Sequence, residues 1–274
     1  MITYKINHVN GLHFEITGDE GKNREYDVSF IDRKGKVEGM LTDQQVTIYE
    51  TKMKPGSWSR LERKYLSDIA IFVRYEGRTI KQINFLDELK DKRVFISFDS
   101  KALGDTLAWM PYCLEFANHY KCKVIVSTFK NFLFENAYPE LEFVDRGVVV
   151  DNIIGMFNLG WHWNKSMEPI NPIFLTLPQS ACTILNLPYR EELIPRMSFT
   201  PKERPMVEKY VCISIHSTAM IKYWYYWQEL IDGLVEKGYK VIEISKEEEI
   251  RGIDTKDLRN ASILEDKSLD NTMN

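Results

Sequence analysis

The chain has 274 residues, 44% hydrophobic and 28% charged, with a formal net charge of -4. That balance excludes a disordered polyelectrolyte, and the slight acidity argues against a general nucleic-acid binder. A mass of 32.2 kDa leaves room for two domains or one large one.

Met1-Ile2-Thr3-Tyr4-Lys5 lacks the apolar core of a signal peptide, so a cytoplasmic location is expected. Apolar and polar residues then alternate: Leu12, Phe14, Ile16; Tyr26, Val28, Phe30; Val46, Ile48; Ile69, Ile71, Val73, Tyr75. Gly18, Gly21, Gly35, Gly39, Pro55-Gly56 and Glu76-Gly77 punctuate these runs. The pattern predicts short half-buried strands in a small antiparallel sandwich or barrel, with 58–65 the one helix-like stretch.

A polar connector, 86–93, leads to a different rhythm. Strand 94–98 is followed by helix 106–120, with Leu107, Met110, Leu114 and Ala117 on one face. Strand 122–127, short helix 131–137 and strand 152–157 come next. Strand and helix alternate as in a parallel sheet covered by helices. The Trp- and Pro-rich stretch 158–178 reads as an irregular surface loop, and 179–187 as a helix stopped by Pro188. No apolar run reaches membrane-span length; the nearest, 148–161, is broken by Asp151, Asn152 and Asn158.

A Pro- and charge-rich linker, 195–205, precedes a second start: strand 210–215, amphipathic helix 224–237, strand 239–244. After Lys246-Glu247-Glu248-Glu249 the pattern weakens, and no further strong strand is expected. The organisation predicted is a β-rich domain, 1–92, a Rossmann-like domain, 93–200, and an unfinished second Rossmann-like half, 201–274.

Two stretches carry candidate chemistry. In Ser97-Phe98-Asp99-Ser100-Lys101-Ala102-Leu103-Gly104-Asp105-Thr106 a Gly precedes an Asp where strand gives way to helix. Gly104 permits a tight turn or the close approach of a ligand. Asp105 either caps the helix or stands in its first turn, near the positive end of the dipole. The carboxyl end of a strand is where open α/β sheets hold ligands. Taken alone, the pair reads first as a structural cap, and it gains weight only from a second site later in the chain.

The second stretch, His216-Ser217-Thr218-Ala219-Met220-Ile221-Lys222-Tyr223-Trp224, follows the strand at 210–215. Two hydroxyls, a cation and a helix N-terminus near 224 suit a diphosphate without a metal. Structurally, Ser217 and Thr218 could equally cap the helix and Lys222 be solvated. Trp224 and Trp227 read first as core packing, second as a base-stacking pair. Lys246 to Glu249 reads first as a solvated helix start, and Glu247, just past a strand end, second as a candidate ribose contact. His162, between two tryptophans, is a candidate lining of an acceptor cleft or part of a structural loop.

No G-x-G-x-x-G, Walker A, G-x-S-x-G or D-x-D signature is present. Cys113, Cys122, Cys182 and Cys212 form no C-x-x-C pair, and the five His show no metal spacing, so no metal site is expected. A carboxylate after one strand and a cation after another suggest group transfer from a diphosphate donor. Asp105 would accept the acceptor's proton and Lys222 with Thr218 the charge of the leaving group.

Ala102-Leu103-Gly104-Asp105-Thr106 with Pro111 resembles the glycine-aspartate motif of bacterial ADP-heptose-dependent lipopolysaccharide heptosyltransferases. The stretch from His216 to Trp224, continued through Trp227-Gln228-Glu229-Leu230-Ile231, resembles their donor-binding segment. The autotransporter adhesin O-heptosyltransferases are more similar still. The runs 93–111, 123–129, Tyr138-Pro139-Glu140, Gly160-Trp161 and 209–212 match them, as does the β-rich start. The resemblance implies an α/β, GT-B type fold and heptose transfer from an ADP-heptose donor to Ser or Thr hydroxyls of an adhesin. It implies Asp105 as catalytic base, with Lys222, Thr218, Ser217 and Gly104 at the donor, and oligomers as the assembled state. The family's Ser-Gly-Leu donor loop, remaining second-half strands and iron-binding cysteine cluster have no counterpart before Asn274. A truncated second half is therefore expected, and iron is not carried over. Two other readings stay open: a different nucleotide-sugar donor, or a non-catalytic adhesin-binding or assembly module.

Overall fold

Period-two alternation becomes strands wherever a partner strand covers the apolar face, and the first ninety residues do this repeatedly. A computed structural model describes residues 2–34, 36–37, 40–41, 45–191, 193–198, 208–215, 220–244, 249–250, 253–254, 259 and 261–264. Strands β1 (Ile2–Asn7), β2 (Leu12–Asp19), β3 (Tyr26–Asp32), β4 (Lys36–Val37) and β5 (Met40–Leu41) come first. They are followed by β6 (Val46–Met53), β7 (Trp58–Leu61), β8 (Ile69–Tyr75) and β9 (Arg78–Asn84). They form antiparallel sheets ordered β1-β2-β7 and β6-β3-β8-β9, plus the short β4-β5 ladder. Leu12, Phe14 and Ile16 of β2 and Tyr26, Val28 and Phe30 of β3 are buried, as their alternation requires.

The expected helix at 58–65 is instead β7. Trp58 and Arg60 point out while Leu61 points in, and the segment pairs with β2, Leu61 opposite Leu12. Edge pairing with β2 outweighs a weak helical pattern. Gly11 makes this closure possible: at φ +84 any Cβ would lie 2.1 Å from the Leu61 carbonyl oxygen.

The chain beyond residue 92 alternates as expected: β10 (Arg93–Phe98), α1 (Leu103–Tyr120), β11 (Lys123–Ser127), β12 (Glu142–Phe143), β13 (Ile153–Leu159) and α2 (Leu177–Leu185). The sheet is parallel, ordered β12-β11-β10-β13. His8, just past β1, forms a parallel bridge to Gly155. Its N–H donates to the Ile154 carbonyl at 2.6 Å and its own carbonyl accepts from Met156 N–H at 3.0 Å. The β-rich part is thereby stitched to the edge of the parallel sheet, and both share one continuous apolar core.

Helix α1 is buried on a broader face than its sequence period indicates. Trp109, Met110, Tyr112, Cys113, Phe116 and Tyr120 are buried, whereas Leu107, Leu114 and Ala117 are half-covered. The reason is α2. Trp109 Nε1 donates to the Leu177 carbonyl at 3.1 Å, Tyr112 to Arg190 at 2.8 Å and Tyr120 to Asn186 at 2.7 Å. Aromatic side chains bury well when their polar atoms find partners, so α1 packs on the sheet and on α2 together. The short helix expected at 131–137 is a single 3₁₀ turn, Asn131–Leu133. There the Asn131 side-chain oxygen accepts from Thr128 N–H and Oγ1, both at 2.9 Å, and competes with helix formation.

Two compact units divide the chain, Met1–Thr200 and Pro201–Asn274. The second contains β14 (Tyr210–Ile213), α3 (Trp227–Glu236), β15 (Lys240–Ile244), the short antiparallel pair β16 (Glu249–Ile250) and β17 (Ile253–Asp254), and β18 (Ala261–Leu264). Strand β18 was not expected from the pattern after Lys246. Four residues suffice because β15 supplies a ready parallel partner, Ile242 opposite Ser262. Ile213, Ile215, Ile231 and Val241 form this unit's buried cluster, with Trp227 and Leu234 packed against it.

Candidate functional site at the carboxyl end of the parallel sheet

β10 is the strand from which the first unit's sheet grows both ways, β11 on one side and β13 on the other. Such a reversal opens a crevice at the carboxyl ends of the strands. Pairing extends one residue past β10, where Asp99 N–H donates to the Leu159 carbonyl at 2.8 Å. The chain then turns through Ser100, whose hydroxyl accepts the Ala102 N–H at 3.1 Å, and enters α1 at Leu103.

α1 starts three residues earlier than predicted, so Gly104 and Asp105 are its second and third residues. Asp105 therefore stands inside the first turn, half-buried, and is not the cap; the N-cap residue is Ala102, which has no capping side chain. Thr106 is fully buried and donates its hydroxyl to the Ala102 carbonyl at 2.9 Å, which tightens the turn. Gly104 has no positive φ, and a Cβ built on it meets nothing within 4 Å. The expected tight turn is absent because the residue is already helical. The space beside Gly104 stays open to an approaching group.

Neighbouring loops brace this end of the sheet. Arg146 donates to the Phe98 carbonyl and lays its guanidinium 3.9 Å from the centre of the Phe129 ring. Lys101 Nζ lies 5.5 Å from the same ring. On the β13 side the Ser97 hydroxyl donates to Asn158 Oδ1 at 3.1 Å. A cleft of about 350 Å³ opens there, lined by Val9, Asn10, Lys64, Ser97, Met156, Asn158 and Met167. His162 folds back beneath the loop, its Nε2 3.0 Å from the Asn158 carbonyl oxygen. An oxygen of that kind only accepts, so Nε2 carries the hydrogen. Burial raises the carboxyl pKa of Glu168, opposed by hydrogen bonds from Ser180 and the His162 N–H. Arg146, Asn158 and Glu168 escape sequence reading: Arg146 and Glu168 are lone polar residues in irregular segments and Asn158 a lone polar residue near the end of β13, with no motif to mark any of them.

The second unit places Lys222 at the end of the 3₁₀ turn Met220–Lys222, exposed, and α3 starts only at Trp227. The cation is thus five positions before the helix and not on the helix end expected near 224. Tyr223 is buried, while Trp224, Tyr225 and Tyr226 are exposed, and Trp224 meets Trp227 edge-on at 5.1 Å. Trp227 joins the core and Trp224 does not, so only half of that pair is packing. Ser217, Thr218 and Glu247 lie outside the described residues.

A metal finds no fitting donor set among the described residues, where no three His, Cys, Asp or Glu converge. Cys113, Cys122 and Cys182 are buried, and burial pushes their thiols well above the ordinary range, the opposite of what ligation needs. Among the described residues no helix is long and apolar enough to cross a membrane.

This architecture is an α/β glycosyltransferase fold. The chain superposes over 99% of its length on the iron-containing dodecameric glycosyltransferase TibC of enterotoxigenic E. coli, with a TM-score of 0.75 and 21% identity, covering 70% of that chain. A TibC structure in complex with ADP-D-beta-D-heptose gives the same TM-score at 20% identity, over 98% of this chain and 69% of that one. In sequence the chain is similar to the autotransporter heptosyltransferases. It is 29% identical to Aah of Escherichia coli over 207 residues, which are 73% of this chain and 52% of Aah. It spans about half the length of the curated relatives it matches, 52% of Aah and 48% of TibC. No family profile matches the chain.

Proposed function

We propose that this chain belongs to the catalytic part of a heptosyltransferase that moves a heptose from an ADP-heptose donor to Ser or Thr hydroxyls of an autotransporter adhesin. The observation that carries the reading is Asp105 in the first turn of α1, at the sheet's switch point, beside a glycine that no neighbouring atom requires. Asp105 accepts the proton of the acceptor hydroxyl as that oxygen attacks the anomeric carbon and the bond to the diphosphate breaks. Lys222, Thr218 and Ser217 take up the charge on the departing ADP, with Glu247 on its ribose. Gly104 leaves room for donor or acceptor against the backbone.

The reading includes a GT-B arrangement with the β-rich 1–92, the acceptor-side 93–200 and the donor-side 201–274 as its parts. It also includes a cytoplasmic location and a homo-oligomer. The ADP-heptose complex and dodecameric assembly of TibC support the donor and the assembly.

The test is Asp105→Asn, near-isosteric on an unhindered helix turn. Transfer of heptose to a Ser/Thr-rich adhesin fragment, followed by mass shift, is expected to fall by about 10²–10⁴-fold with an unchanged melting temperature. Turnover at the parental rate would remove Asp105 from the mechanism. Lys222→Ala, at an exposed position, is expected to weaken ADP-sugar binding about tenfold by calorimetry.

A further inference from the structure

Exposed tryptophan is costly to display and rare as a pair, yet Trp161 and Trp163 are 47% and 69% exposed, with His162 between them only 7% exposed. Both indoles therefore reach solvent while the imidazole between them is covered. We propose that residues 160–168 form a preset platform for the polypeptide acceptor, with Glu168 as the positioning residue that holds it. The inference rests on the heptosyltransferase reading above and names how that enzyme grips its protein substrate.

The platform is rigid by construction. Glu168 is 1% exposed; its Oε1 accepts the Ser180 hydroxyl at 2.7 Å and its Oε2 the His162 N–H at 3.4 Å. His162 Nε2–H donates to Asn158, the last polar residue of β13. The rest of the loop is bonded to itself and to the β-rich part: Met167 and Glu168 N–H to the Asn164 carbonyl at 2.9 and 3.1 Å, and Lys64 N–H to Ser166 at 2.5 Å. A buried carboxyl is expensive to maintain, and here it fixes the backbone between two outward indoles.

The platform's first residue also lies against the turn that leads to the proposed base. Gly160 is pressed so closely on the turn after β10 that a Cβ there would be 2.9 Å from Asp99 Cβ and 2.8 Å from His162 Cε1. The loop therefore abuts the segment that leads into Gly104 and Asp105. Flat indoles stack on peptide planes at little entropic cost, and the adjoining cleft offers the amides of Asn10 and Asn158 to peptide groups.

The experiment labels the full chain with 5-fluorotryptophan and follows each indole by fluorine NMR, signals being assigned by Trp161→Phe and Trp163→Phe. Addition of a synthetic Ser/Thr-rich peptide is expected to shift the Trp161 and Trp163 signals and leave Trp109 in place. Trp161→Ala and Trp163→Ala should each weaken the peptide about three- to tenfold while ADP-sugar affinity by calorimetry stays at the parental value. Glu168→Ala should do the same. Glu168→Gln should restore binding, because its carbonyl can face the His162 N–H and its NH₂ the Ser180 hydroxyl. Peptide binding that leaves both indole signals unmoved, no binding at all, or signals moved by ADP-sugar but not by peptide would each overturn the platform. Failure of the parental chain to bind ADP-sugar overturns the heptosyltransferase reading instead, and the peptide titration reports independently of it.

Discussion

The connection from β10 to α1 takes four residues, 99–102, whereas that from β14 to α3 takes thirteen, 214–226. Both leave the carboxyl end of a parallel strand and enter a helix, yet they place side chains by different means. In the first, strand pairing at Asp99 and the Ser100 turn bring the chain directly into the helix, so backbone geometry alone positions Gly104 and Asp105. In the second, Lys222 is positioned by a separate 3₁₀ turn and by an aromatic run that is buried at Tyr223 and exposed at the next three residues. A short strand-to-helix turn is a local device. A long one depends on what packs around it.

The packing behind the two turns differs in the same direction, which gives the largest expected effects. Trp109→Ala removes a fully buried indole that packs edge-on against Phe98 at 5.7 Å and binds the Leu177 carbonyl. It is expected to cost about 3–5 kcal/mol in urea denaturation read by a probe in the first unit. Ile231→Ala, at the centre of the second unit's four-residue cluster, is expected to cost about 2–5 kcal/mol, read by a probe in that unit. If either substitution lowers both transitions equally, the two units melt as one and the contrast drawn here fails.

A pH effect of about 3 kcal/mol sharpens the picture of how the β-rich part is attached. His8 is fully buried between Phe85 and Phe157, 5.6 and 5.1 Å away between ring centres, and burial lowers its pKa from 6.5 to about 4. The native state holds it neutral while the unfolded chain binds a proton below 6.5. Stability from this residue is therefore complete above pH 6.5 and is lost as the pH falls through that value toward 4. The pH dependence of unfolding between 7 and 4.5 should be shallower in His8→Leu than in the parent; parallel curves would show that the imidazole is not the group responsible.

The smallest effect tests the turn itself. Gly104→Ala meets open space and replaces a poor helix former, so it should leave stability unchanged or raise it by up to about 1 kcal/mol. Heptose transfer should nevertheless fall, because the new methyl occupies the approach to the backbone. A variant both stable and fully active would make Gly104 incidental.

Strand alternation in 12–19, 26–32 and 69–75 and the passage from β10 into α1 were legible in the residues, because each is written within one or two turns of chain, although α1 takes in Gly104 and Asp105 where a turn was expected. Asp105 and Lys222 became candidates from type and spacing, although the place of Lys222 relative to α3 could not be read. Tertiary partners alone decided that 58–61 is a strand, that 261–264 joins β15, and that α1 is buried on two sides. They also decided that β10 lies between β11 and β13, which makes its end a crevice, and that Glu168, Asn158 and Arg146 brace it. Local periodicity records which way a side chain faces; strand order and the partners of isolated polar residues arise from contacts between distant segments, and no short stretch of sequence contains them.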